Sequence, residues 1–264
     1  MLTLDHIAIA AETLEEGVEH VETALGVPMA AGGKHPLFGT HNRLLGLGDI
    51  YLEVIAVDPL AGSVPRCRWF DLDRFCGPPR LTNWICKTNN PAADLPCALA
   101  GTGPMVEVHR GDLRWQITVP KNGCLPLDGC APALIDWGDI PSPATRLPDQ
   151  GCGLRGLKIT HPESDKLGQF LQDRLTDPRV VVDHAEQPSF EIEIDTPWGK
   201  MAQITIRPAI PDDAKAIADL WNPMIRDSAM TFTSAQKTTS GLAQQIKDCN
   251  QEGRGFFLAE DSQG

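Results

Sequence analysis

Residues 4–10, LDHIAIA, alternate between two faces, with Leu4, His6 and Ala8 on one and Asp5, Ile7 and Ile9 on the other. That is the period of a β-strand. Residues 50–56 alternate again: Tyr51, Glu53 and Ile55 oppose Leu52 and Val54. Between them the pattern predicts a helix over 12–25, followed by short strands through GTHNRLLGLG. An amphipathic helix needs an apolar sheet face to lie on, and the Ile7/Ile9 and Leu52/Val54 faces supply it. His6 and Glu53 then share the opposite, concave face. A histidine and a carboxylate on one open sheet face suit a divalent cation. A hydrogen-bonded His–Glu pair in a metal-free polar cleft satisfies the same pattern.

The plan repeats after a Pro- and Gly-rich crossover, DPLAGSVPRCRWFDLDRFCGPPR, with a short amphipathic turn around Trp69–Phe75. LTNWICK reads as a strand. Pro91 opens a helix expected to reach Ala100. MVEVHR, LRWQITVP and ALIDWG read as three more strands. Registering the two units sets Asn83 against His6 and Asp136 against Glu53. In LRWQITV the apolar set is Leu113, Trp115, Ile117 and Val119, so Arg114, Gln116 and Thr118 are expected on the cup face. After a linker over 139–153, residues 154–199 form a shorter third unit with Gly156 and Glu193 at the same registers. Its expected role is to extend the sheet or cover an edge.

Composition narrows the setting. Hydrophobic residues make up 42% of the 264, enough for a substantial core, and the net charge of −12 with a pI near 5.0 argues against nucleic acid and anionic membranes as partners. No apolar run approaches the ~20 residues of a membrane span, and the N-terminus lacks the basic segment of a signal peptide. The eight cysteines form no C-x-x-C pair, which leaves zinc knuckles and thioredoxin-type chemistry without support. A reducing cytoplasm is the expected location. No G-x-S-x-G, P-loop or H-E-x-x-H motif occurs.

GGKHPLFGTHNRLLGLG, with YLEV after it and IDWG later, resembles the glyoxalase-like branch of the vicinal oxygen chelate superfamily over residues 1–200. The resemblance implies an α+β fold of paired βαβββ modules, here 1–57 and 82–138, whose first and fourth strands supply metal ligands to a shared cup. It implies a glyoxalase-like domain over 1–199, with the unit 154–199 as an addition. From Lys200 the text changes. MAQITIRPAIPDDAKAIADLWNPMIRD and GFFLAED resemble the opening of a GNAT acetyltransferase of the phosphinothricin type, giving a second segment over 201–264. That family's Gly-rich acetyl-CoA loop is missing from this segment, so acetyl-CoA is not an expected cofactor and acetyltransferase activity would belong to a longer fusion.

On this reading His6, Glu53 and Asp136 are the candidate metal ligands, for Zn, Ni, Mn or Fe. Asn83 is a poor fourth, since amides bind transition metals weakly. Glu53 and Asp136 are the candidate bases. His35, His41, Asn42, Arg114 and Gln116 are the candidate substrate contacts, with Arg114 as an anion clamp. The implied reaction is a metal-dependent lyase or isomerase step on a small oxygenated molecule, anionic if Arg114 meets it. A metal-free binding module of the bleomycin-resistance type is the alternative. The expected partners are that small molecule and a second copy of the chain in a homodimer.

Overall fold

The computed structural model describes residues 1–111, 113–198, 201–227, 237–251 and 257–260. The first module runs β1 (Thr3–Ala10), α1 (Leu14–Leu25), β2 (Ala30–His35), β3 (Thr40–Gly46) and β4 (Tyr51–Val57). Helix α1 starts where Thr13 caps it, its hydroxyl accepting the Glu16 N–H at 3.2 Å. It stops at Gly26, whose φ of 69° is the left-handed cap that glycine adopts without strain. Leu14, Gly17, Val21 and Leu25 form its buried face. Gly17 lies against Val54, the sheet face expected from the alternation.

The second module repeats the order with β5 (Arg80–Lys87), α2 (Pro91–Asp94), β6 (Met105–Arg110), β7 (Leu113–Thr118) and β8 (Ala133–Asp136). Here the helix is a single turn followed by a 3-10 turn at Leu95–Cys97, not the element expected to reach Ala100. Pro96 offers no amide hydrogen to continue an α-helix. All eight strands join one sheet of order β2-β3-β4-β1-β5-β8-β7-β6. β1 lies parallel to β4, β5 parallel to β8, and β1 antiparallel to β5. The two modules are thus related across the central β1/β5 pair. The edge strands β2 and β6 approach each other, so the sheet curls into a cup.

The cup is apolar. Ala8, Ala10, Ile55, Ile85, Val108, Trp115, Ile117, Ile135 and Trp137 form one buried cluster with Trp69 and Phe70 of the crossover. This reverses the expected faces of β7: Trp115 and Ile117 point into the cup, while Arg114 and Gln116 are exposed on the outer face. The reason is the short α2. One helical turn covers little of the outer sheet surface, so the apolar set finds its burial inside.

The third unit comprises β9 (Gly153–His161), α3 (Ser164–Leu171), β10 (Val180–His184) and β11 (Ser189–Asp195). It does not extend the eight-stranded sheet. It builds a separate one with β12 (Met201–Pro208), in the order β10-β9-β11-β12, with β13 (Phe257–Glu260) as the last strand. A bridge between Leu2 and Leu175 ties the third unit to the start of β1, and Arg179 pairs with Asp49. β12, on which the second segment was expected to open, pairs with β11 from Asp195↔Met201 to Phe190↔Ile206. The chain divides into two compact units, with boundaries at Ile206/Arg207 and Leu258/Ala259. In the second, α4 (Ala214–Asp227) and α5 (Thr239–Gln251) enclose Ala214, Ile217, Ala218, Leu242 and Ile246. Gly255, Phe256 and Asp261 of the expected GFFLAED strand lie outside the described residues. No helix among the described residues is long and apolar enough to cross a membrane.

Candidate functional site

The mouth of the cup holds a small, partly open pocket. His6, His35, Asn42, Tyr51, Glu53 and Arg110 are its polar lining, set among Trp69, Phe70, Trp115 and Trp137. His6 and Glu53 sit on adjacent parallel strands, with His6 opposite Tyr51 in the ladder. Their Nε2 and Oε2 atoms are 3.6 Å apart, and the two residues are only 3% and 5% exposed. The His6 ring stacks on Tyr51 with centroids 4.4 Å apart.

The other nitrogen of His6 faces Asp5, Nδ1 to Oδ1 at 2.7 Å, and Asp5 also accepts the Trp137 indole N–H at 3.0 Å. Neighbours on an undistorted strand point to opposite faces. A register shift between Leu4 and His6 in the β1/β5 ladder bends the strand here, so both side chains reach one network. Strict alternation had placed Asp5 on the helix side.

Asn42 joins the two modules. Its amide nitrogen donates to Glu53 Oε1 at 2.5 Å, and its carbonyl oxygen accepts from the Gly33 N–H at 2.7 Å and from Arg110 Nη1 at 3.2 Å. Gly32 and Gly33 make room for this. A Cβ on Gly32 would come within 2.1 Å of the Asn42 backbone oxygen and 2.3 Å of its Oδ1, and one on Gly33 within 2.5 Å of Arg110 Cδ. His35 packs edge-on to Trp69 and Trp115, with Nδ1 3.1 Å from Thr40 Oγ1 and Nε2 3.5 Å from Arg110 Nη1. With Arg110 donating to Nε2, the ring proton sits on Nδ1 and is given to Thr40.

Environment divides the ionisable groups. Burial opposes charge on His6, but Asp5 and Glu53 outweigh it and raise its pKa. Burial also opposes charge on Glu53, and His6, His35 and Asn42 together drive its pKa down. The pair is therefore ionic at neutral pH. His35 behaves oppositely: burial pushes its pKa down to about 4, with Arg110, His41 and His6 adding to that against Glu53.

Other candidates fall elsewhere. Asp136 pairs with Gln116 in the β7/β8 ladder, on the outer face, and its carboxylate accepts the Gly138 N–H at 2.8 Å. The cup-facing neighbours are Ile135 and Trp137. Matching YLEV to LIDW by their acidic residues slips the register by one, and one residue turns a side chain to the other face. The structure thus separates Asp136 from His6 and Glu53, and Arg114 and Gln116 from the cavity. His41 alternates out of it, between the cup-facing Thr40 and Asn42. Asn83 is buried beside Gly129 and does not line the pocket.

Arg110, the cation of the cup, was missed. The signal was present: Val106, Val108 and Arg110 share one phase of MVEVHR, and the two valines belong to the cup cluster. Trp69 and Phe70 come from the crossover, in the amphipathic turn expected around Trp69–Phe75, and nothing in that short pattern says that its apolar side closes the cup. Phe70 is held at φ 57°, an uncommon conformation for an aromatic residue, with the next residue's N–H bonded to the Gly123 carbonyl at 3.0 Å.

Residues 4–175 match the family model described as a glyoxalase-like domain. The chain belongs to the glyoxalase-like domain family. No curated protein matches it. Among solved structures, a hypothetical protein from Staphylococcus aureus is 17% identical, covering 75% of this chain and 82% of that one at a TM-score of 0.49. A Streptomyces coelicolor methylmalonyl-CoA epimerase in complex with 2-nitronate-propionyl-CoA is 18% identical over 53% of this chain and 100% of that one, TM-score 0.38. The Mycobacterium tuberculosis methylmalonyl-CoA epimerase is 18% identical over 54% and 91%, TM-score 0.36. At these values neither substrate nor chemistry passes from them to this glyoxalase-like domain.

The described residues do not assemble a metal centre. Among the described residues no three His, Cys, Asp or Glu side chains are grouped to hold an ion. Of the three expected ligands only His6 and Glu53 share the cavity, both ring nitrogens of His6 face carboxylates, and Arg110 brings a cation to the same lining.

Proposed function

We propose that the glyoxalase-like domain binds a small oxygenated organic molecule in the cup and exchanges a proton with it through the His6–Glu53 pair, as an isomerase or lyase without a resident metal. One observation carries this reading: a histidine and a glutamate, both buried and 3.6 Å apart, line one pocket. Buried charge is costly and is often retained where chemistry uses it. A substrate carbonyl oxygen would take the His6 Nε2–H now directed at Glu53. Glu53, released from its strongest partner, gains basicity and removes a proton from the adjacent carbon, while His6 stabilises the charge developing on oxygen. Return of the proton to the carbon completes an isomerisation.

Incubation with pyruvate and 2-oxobutyrate in D2O, followed by proton NMR, tests this. Deuterium incorporation above the buffer rate, lost in Glu53→Gln, is the expected result. Binding without exchange would leave the bleomycin-resistance-type binding module in its place. A metal-dependent lyase or isomerase is the second reading, favoured by His6 lying on the first strand of the module and Glu53 on the fourth. About one tightly held divalent ion per chain, with exchange lost on chelation, would put that reading first. The acetyltransferase resemblance of residues 203–264 finds no support among the comparisons, and no activity is proposed for that segment.

A further inference from the structure

The charges of the cup do not all pair. His6 sits between two carboxylates, Asp5 and Glu53. Arg110, half-buried at the end of β6, has no carboxylate partner among the described residues. Its Nη1 contacts only neutral groups, Asn42 Oδ1 at 3.2 Å and His35 Nε2 at 3.5 Å, and the guanidinium carbon lies 5.9 Å from the centre of the Trp115 ring. A partly desolvated guanidinium with only neutral acceptors is an unfinished ion pair. The buried indole N–H of Trp69, on the same lining, also has no partner among the described residues.

We infer that Arg110 is the anion-binding residue of this cup, and that the molecule it receives is a small monocarboxylate bearing a flat apolar group. This rests on the proposed function only in placing a small molecule in the cavity. Three features set the class. A guanidinium whose Nε and Nη2 have no protein acceptor among the described residues presents two parallel N–H donors, the geometry a carboxylate accepts in bidentate fashion. His6 already faces both carboxylates, Asp5 and Glu53, so Arg110 is the cation placed to meet one added negative charge. A phosphate dianion would bring a second negative charge beside Glu53 with no cation to meet it. The remaining lining, Trp69, Phe70, Trp115 and Trp137, offers aromatic faces and edges to a planar group. Position supports the role as well. Arg110 comes from the second module and meets His35 and Asn42 of the first, so an anion held there lies where both modules meet, one residue from Glu53 through the Asn42 amide.

The probe is benzoate, with benzamide as its neutral isostere and inorganic phosphate as the dianion, titrated into the full chain by calorimetry and by quenching of tryptophan fluorescence. Benzoate should bind saturably and at least about tenfold more tightly than benzamide, and phosphate should bind more weakly than benzoate. In Arg110→Gln the preference for benzoate should vanish, with benzamide affinity retained. Arg110→Lys, which keeps the charge and the stem but loses the fork, should weaken benzoate several-fold and serves if the glutamine variant does not fold. No saturable benzoate binding, an unchanged preference in Arg110→Gln, or phosphate binding more tightly than benzoate would each overturn the assignment. Failure of the proton-transfer reading looks different: carboxylate preference intact, with no deuterium exchange in the 2-oxo acids.

Discussion

Gly17 lies in the interior of α1, and replacing it with alanine sets two effects against each other. Helix propensity alone favours the change by about 1 kcal/mol. The packing opposes it. A Cβ at position 17 would lie 2.4 Å from Val54 Cγ1 and 2.8 Å from the Ala11 Cβ. Neither neighbour yields easily: valine is stiff at χ1, and the Ala11 Cβ moves only with its backbone. Overpacking of this kind costs about 1–3 kcal/mol, and the contact with Ala11 puts this site at the upper end. The net expectation is a loss of about 1–2 kcal/mol, or about 2–8 °C in melting temperature for a unit of this size. Urea unfolding followed by tryptophan fluorescence measures it. Val54→Ala removes the methyl group in the way, so the double variant should cost at least about 1 kcal/mol less than the sum of the single ones. A stabilised Gly17→Ala, or strictly additive effects, would refute the packing of α1 on β4. The point bears on the site, because Val54 adjoins Glu53 on the same strand and the helix holds that strand from behind.

The His6–Glu53 pair should give stability a plateau in pH. His6, raised from 6.5, contributes fully below that value and loses its contribution as pH climbs through the folded pKa; Glu53, lowered from 4.5, contributes above that value and loses it as pH falls through its own. The excess stability of the native chain over Glu53→Gln should therefore peak between about pH 4.5 and 6.5 and shrink on both sides, and a flat difference across pH 3–9 would contradict the ionic pair. Arg179 holds Asp49 at 2.6 and 2.7 Å and Asp177 at 2.7 Å, linking the third unit to the loop before β4. These groups are partly exposed, so Arg179→Ala should cost about 1 kcal/mol at low salt and less in 0.5 M NaCl. A salt-independent loss would mean that the link is not electrostatic.

The elements of the two modules were legible because each is a local pattern. Alternation marked β1, β4 and β7, LTNWICK read as a strand at β5, and α1 was expected over 12–25 between β1 and the strands that follow. The same phase argument placed His6 and Glu53 on one side of the sheet, where the structure has them in one cavity. It worked because β1 and β4 are adjacent and parallel and their helix-facing set, Ile7, Ile9, Leu52 and Val54, is unambiguous.

Phase fixes which residues share a face. It does not say which face is the inside. For β7 both answers bury Trp115 and Ile117, and only the extent of α2 decided that the apolar set lines the cup, carrying Arg114 and Gln116 outward. Asp136 failed on register, because a slip of one residue leaves the sequence pattern equally good and inverts the side chain. Arg110, Trp69 and Phe70 reach the site from an edge strand and a crossover, by contacts between residues far apart in the chain. Asp5 joins through a bulge that depends on the pairing of β1 with β5. Local periodicity is written in nearest neighbours along the chain, whereas curvature, register and the meeting of β2 with β6 are set by packing across the sheet, so the charge left unmatched in the cup is visible only once the fold is closed.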